Sequence, residues 1–165
     1  MRRINAAVAA VALALTLCVA AAAKADFSGT WVLDKADSEG LPADMDQTMT
    51  VTQAGDRLTL ETKLITGQGE QVVPDAYTLD GKEKEFTPRA GNGAEGKGRR
   101  TARWAADGSG FEVSEEATFD APEGAVTVKT TRKWSLSADG KTLKIELATE
   151  DPNGTHRSKR TFLKK

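Results

Sequence analysis

From Phe27 onward, apolar side chains recur at every second position, in short runs separated by turn-forming residues. Phe27, Gly29, Trp31 and Leu33 share one face. Met49 and Val51 alternate with Thr48, Thr50 and Thr52, and Leu58, Leu60 and Leu64 alternate with Arg57, Thr59, Glu61 and Lys63. The pattern returns at Tyr77 and Leu79, Ala102 and Trp104, Phe111 to Phe119, Val126 to Leu136, Leu143 to Leu147, and Phe162. A period of two marks strands with one buried face, and β-branched residues favour strands by propensity. Gly55-Asp56, Asp80-Gly81, Asp107-Gly108, Asp139-Gly140 and Asn153-Gly154 lie between the runs and tolerate the positive φ of tight hairpins. No stretch after residue 25 has helical periodicity, and residues 35–46, which include Gly40 and Pro42, read as a loop or at most a short helix. The pattern predicts an all-β antiparallel up-and-down meander of eight to ten strands that closes into a barrel to remove its edges. A sandwich or a half-open barrel is the alternative.

The same alternation places polar side chains on apolar faces. Arg132 and Thr130 fall on the face of Trp134, Glu115 on that of Phe111, Thr62 on that of Leu60, Arg100 beside Trp104, and Ser158 and Arg160 beside Phe162. An isolated buried charge is costly, so these groups must be paired, hydrated or outside the closed core. Three arrangements satisfy that requirement. Glu115 pairs with Arg132 or Arg100 inside the sheet, a bulge reverses the alternation and turns the charges outward, or the group lines a hydrated cavity and orients the acidic head of a ligand. In the last case Arg132, helped by Arg100 and Arg160, would hold the head, and Trp134, Trp104, Phe111 and Leu60 would line the apolar body.

Residues 1–25 differ from the rest of the chain. Arg2 and Arg3 precede an uncharged Ala/Val/Leu-rich run from Ala6 to Ala23, followed by Ala23-Lys24-Ala25, the arrangement of a secretory signal peptide cleaved after Ala25. The run approaches the roughly 20 residues of a membrane span, but alanine makes up much of it and an A-x-A site follows at once. The mature form is therefore expected to be a periplasmic or secreted single domain, residues 26–165, with no membrane span. Leu15-Thr16-Leu17-Cys18 resembles a lipobox, yet Leu17 stands where Gly, Ala or Ser is required, which argues against a lipid anchor on Cys18.

Removal of that segment leaves 20 basic and 24 acidic side chains and no cysteine. The acidic balance argues against a nucleic-acid partner, and the core must hold without disulfides. His156 is the sole histidine, so no zinc site of ordinary composition and no Ser/His/Asp site with a nucleophile elbow can be assembled. No cofactor is expected. Gly91-Asn92-Gly93-Ala94-Glu95-Gly96-Lys97-Gly98 matches glycine-rich phosphate motifs formally, but such loops open a helix, and Arg99 to Trp104 reads as a strand.

Asp26-Phe27-Ser28-Gly29-Thr30-Trp31-Val32-Leu33 resembles the first-strand Gly-x-Trp of the calycins, the group of lipocalins and fatty-acid-binding proteins. Tyr77 to Lys82 and Trp134 to Leu143 resemble phrases in small exported bacterial lipocalin-like proteins. The chain lacks the Thr-Asp-Tyr signature and the disulfide cysteines of true lipocalins. The resemblance implies an up-and-down barrel in which Trp31 closes one end beneath an arginine from a late strand, for which Arg160 is the candidate. Taken together, these readings predict an exported barrel that binds a small apolar or amphipathic molecule. The alternatives are a structural or protein-interaction module with a filled core, and an enzyme acting through carboxylates such as Glu115. Nothing in the sequence defines an oligomeric state.

Overall fold

The computed structural model describes residues 24–90, 93–122 and 124–165. The apolar run with Cys18 lies outside them. Ten antiparallel strands follow one another: β1 (Gly29–Glu39), β2 (Asp46–Ala54), β3 (Arg57–Thr66), β4 (Gly69–Thr78), β5 (Asp80–Phe86), β6 (Lys97–Trp104), β7 (Gly110–Ala121), β8 (Gly124–Leu136), β9 (Thr142–Asp151) and β10 (Gly154–Lys164). They form one sheet in the order β4-β3-β2-β1-β10-β9-β8-β7-β6-β5, so every neighbour is also a sequence neighbour except β1 and β10. This is an up-and-down meander rolled into a nearly closed barrel. The described residues contain no helix.

The inward faces are those the alternation predicts. Trp31, Leu33, Met49, Val51, Leu58, Leu60, Phe111, Val113, Trp134, Leu143, Ile145 and Phe162 form one buried cluster. One end of the barrel is an aromatic floor. The Phe27 ring meets Phe111 edge-on with centroids 4.9 Å apart, and Phe111 stacks on Trp134, also at 4.9 Å. Such pairs add to the large area each ring buries.

Residues 24–28 plug this floor. The Gln53 side chain accepts from the Phe27 N–H (3.0 Å) and donates to the Ala25 carbonyl (3.1 Å), while the Trp31 indole donates to the Phe27 carbonyl (2.9 Å). The Ala25 N–H reaches the Gly108 carbonyl at 2.9 Å. Lys24 bonds Asp56 at 2.6 Å, and Asp56 also accepts from the Trp104 indole at 2.9 Å. These two bonds, Lys24 first, hold the Asp56 carboxyl below its ordinary range.

Three expectations are corrected. Residues 35–39, read as loop or short helix, continue β1: after a register shift Glu39 pairs with Lys159, and Ser38 and the Asp37 carbonyl bond Thr161 at 2.9 Å each. Those bonds satisfy a buried threonine that alternation alone leaves facing an irregular edge. Asp80-Gly81 is not a hairpin turn, because β4 and β5 are the two edges of the sheet and are not hydrogen-bonded to each other, so the chain crosses the seam of the barrel there. The cation over the Trp31 ring is Lys164, at 5.2 Å, not Arg160. Trp31 lies opposite Lys164 in the β1–β10 register, whereas Arg160 lies opposite Ile145 on β9.

Trp31 is fully buried. Trp31→Ala is therefore expected to cost about 3–5 kcal/mol in urea-denaturation stability, while Val32→Ala, on the outer face of the same strand, stays near the level of a surface change, about 0.5 kcal/mol. Similar costs for the two variants would show that Trp31 is not core.

Candidate functional site

Above the aromatic floor the barrel is not filled. A cavity of about 250 Å³ lies between Met49, Leu60, Tyr77, Trp134 and Ile145, all buried, and a rim made by Met45, Leu64, Val73 and Leu147. Val73 is 41% exposed, which marks the end where the cavity meets solvent. Five polar side chains border it: Gln47, Thr62, Asp75, Arg132 and Arg160.

Each arrives by strand alternation. Gln47 is two residues before Met49 on β2, Asp75 two before Tyr77 on β4, Arg132 two before Trp134 on β8, and Arg160 two before Phe162 on β10. Their backbones obey the period of two, and the polar groups extend one layer further from the floor than the aromatic residues.

Charge pairing divides the three arginines. Glu115, 7% exposed, accepts from Arg100 Nε and Arg132 Nη1, both at 2.5 Å. Arg100 also donates to Asp75 (2.7 and 3.3 Å) and to the Ala76 carbonyl (3.1 Å). Burial disfavours charge on both guanidiniums, but the carboxylates of Glu115 and Asp75 outweigh it and hold both above the usual arginine range. Burial pushes the Tyr77 hydroxyl well up, so it stays protonated. The Arg132 side chain keeps 30% of its surface accessible although protein surrounds it, because it faces the cavity.

Arg160 is different. Its single side-chain bond is from Nη1 to the Gln47 side-chain oxygen, at 3.0 Å, and no carboxylate among the described residues pairs with it. Burial, and then the positive charge of Arg132, pull its pKa below the ordinary value. Its Nε is buried without a hydrogen-bond partner, and so is the indole Nε1 of Trp134. The two residues sit in one register row, Trp134 opposite Ile145 on β9 and Ile145 opposite Arg160 on β10.

Of the residues singled out in the sequence, Arg132, Arg160, Trp134 and Leu60 line the cavity. Arg100 does not. It occupies the seam between β4 and β5, its guanidinium 4.9 Å from the Tyr77 ring centroid and 4.3 Å from that of Phe86. Phe111 belongs to the floor, and Trp104 lies at its outer edge bonded to Asp56. Gln47, Asp75, Tyr77 and the two methionines were not singled out. Gln47 was visible to the rule that flagged Glu115, since it falls on the Met49 face. Asp75 shares a strand with Pro74, in a run that carries no strong apolar alternation before Tyr77.

Outside the cavity, His156 is an exposed residue near the start of β10, opposite Thr149 on β9 and 3.8 Å from Asp151. The described part of the glycine-rich loop closes on itself through Arg89 and Glu95 (2.6 Å) and leads into β6, with no helix for a phosphate to meet. Among the described residues no group of histidine, cysteine and carboxylate side chains could hold a metal, and no helix is long and apolar enough to cross a membrane.

The arrangement of a meander barrel with an aromatic floor, a first-strand tryptophan under a late-strand cation and an interior cavity is a lipocalin-like, calycin fold. Among solved structures the chain is similar to zebrafish ileal bile acid-binding protein complexed with cholic acid, with a TM-score of 0.51 and 19% identity over 84% of this chain and 98% of that one. It is also similar to secretory abundant heat soluble protein 4 from Ramazzottius varieornatus, with a TM-score of 0.48 and 10% identity over 84% and 94%. No protein-family model and no curated protein matches.

The shared carboxylate leads to a stability prediction. Glu115→Ala leaves Arg132 with no acidic partner bonded to it and should cost about 3–5 kcal/mol. Arg132→Met should cost clearly less, since Glu115 keeps Arg100. Equal costs in urea denaturation, or a loss below about 1 kcal/mol for Glu115→Ala, would show that the three groups do not act as a unit.

Proposed function

We propose that this chain binds a small amphipathic molecule in the barrel interior, with its polar head at Arg160 and Gln47 and its apolar body against Met49, Leu60, Trp134 and Ile145. The observation that carries the reading is the unpaired cation. A half-buried guanidinium with one neutral partner and a buried, unsatisfied Nε is a costly arrangement, and it borders a cavity with a predominantly apolar wall. Ligand pockets combine these two features, a largely apolar surface with a few placed polar groups. The filled-core alternative fits less well, because packed interiors leave few voids larger than a water molecule. The zebrafish protein of this fold was obtained in complex with cholic acid, a carboxylic acid with an apolar body.

Arg132 thus has a supporting part in this proposal. Glu115 holds it, and it adds positive potential to the cavity rather than offering a free anion site. The test is titration of the purified protein with an amphipathic carboxylate such as octanoate, followed by tryptophan emission. Trp134 lines the cavity and should report binding. Unchanged emission, with no ligand mass seen by native mass spectrometry, would leave only the barrel.

We further propose that the chain is exported, as its first 25 residues suggest. Lys24 and Ala25 make the Asp56, Gly108 and Gln53 contacts described above, and cleavage after Ala25 would remove them. Ala21 and Ala23 offer the same pair of small residues two positions earlier. N-terminal sequencing of exported material is expected to begin at Lys24. A start at Asp26 would show that the plug is dispensable, and an acylated Cys18 would overturn both sites.

A further inference from the structure

The barrel interior has a charge count and a size, and together they define a ligand class. Inside it, among the described residues, stand three guanidiniums, Arg100, Arg132 and Arg160, and two carboxylates, Asp75 and Glu115. The two carboxylates are fully engaged with Arg100 and Arg132. One positive charge remains, at Arg160, and the unpartnered donors Arg160 Nε and Trp134 Nε1 lie in its register row. A single negative charge balances this interior. A neutral head leaves the cation unpaired, and a second negative charge would face Glu115 and Asp75 without a counterion.

The volume sets the other limit. A protein cavity of about 150 Å³ accommodates benzene, which is about 25 Å³ per heavy atom. The cavity here, about 250 Å³, then holds about ten heavy atoms. It falls below the roughly 300–1,000 Å³ of pockets that take drug-sized ligands.

Resting on the proposal that the interior binds an amphipathic ligand, we infer that the ligand class is a monoanionic acid of about ten heavy atoms, the size of octanoate or phenylacetate, rather than a long-chain acid. The neutral, polarisable lining of Met45, Met49, Leu60 and Ile145 accepts either a linear or a ring-shaped body. The head group, not the body, discriminates, because a carboxylate gives the Arg160 guanidinium the charge-assisted partner it lacks.

The test is a homologous series of straight-chain carboxylates from butanoate to hexadecanoate, each with its matching primary alcohol, titrated by isothermal calorimetry. Burying a methylene is worth about fourfold in affinity. The affinity of the acids should therefore climb by about that factor per carbon up to octanoate or decanoate and then level or fall. Octanoate should bind at least tenfold more tightly than octanol in the wild type, and in Arg160→Met the two should bind alike. A fourfold gain per carbon that continues to hexadecanoate would overturn the size limit. Equal binding of octanoate and octanol by the wild type, whatever the variant does, would overturn the monoanion assignment while sustaining an apolar pocket. If neither series binds at any length, the proposed interior site itself falls.

Discussion

A meander barrel is held by backbone hydrogen bonds all the way round except where two walls fail to meet, and here that place is the seam between β4 and β5. Arg100 occupies it. One guanidinium bonds Asp75 and the Ala76 carbonyl on β4, reaches Glu115 on β7, and lies between the rings of Tyr77 on β4 and Phe86 on β5. Phe86 is placed for this by Gly98, its cross-strand partner, where a Cβ would come within 2.6 Å of the ring. The five donors and flat face of arginine suit such a bridge, and a lysine could supply neither the fork nor the stacking surface.

The seam and the cavity draw on the same acids. Asp75 and Glu115 hold Arg100, Glu115 also holds Arg132, and nothing is left for Arg160. The closure of the barrel thus determines which cation in its interior is unmatched. A substitution in the seam would redistribute these pairs and change the potential inside the cavity without touching its lining. Arg132 and Arg160 are in turn coupled directly, since the first lowers the proton affinity of the second.

Much of this was legible in the sequence because a strand's period of two is local. Glu115, Arg132, Arg100 and Arg160 all face inward, as their spacing from Phe111, Trp134, Trp104 and Phe162 requires. Pairing is not local. Whether Glu115 met Arg132, Arg100 or both depended on three strands whose relative stagger no single run of residues encodes. Arg160 looked equivalent to Arg132 in sequence, and it is unpaired only because its row on β9 and β10 holds Ile145 and no acid. Trp31 shows the same limit. Its need for a polar cap could be read from the resemblance, but the identity of the cap was fixed by the β1–β10 register, four residues beyond Arg160. The seam was invisible for a different reason: Asp80-Gly81 has the composition of a tight hairpin and sits where the chain crosses between the two unpaired edges of the sheet.

The pairing of β1 with β10 joins Trp31 to Lys164, nearly the full length of the described chain. All other strand pairs link neighbours through short connections, which close quickly and at small entropic cost. Bringing the ends together costs roughly 4 kcal/mol in the length-dependent part of loop-closure entropy, and that contact cannot form until the last strand exists. A chain synthesised amino terminus first therefore holds β1 with one unsatisfied edge throughout its emergence. The interval before β10 arrives is the time in which that edge is open to the wrong strand.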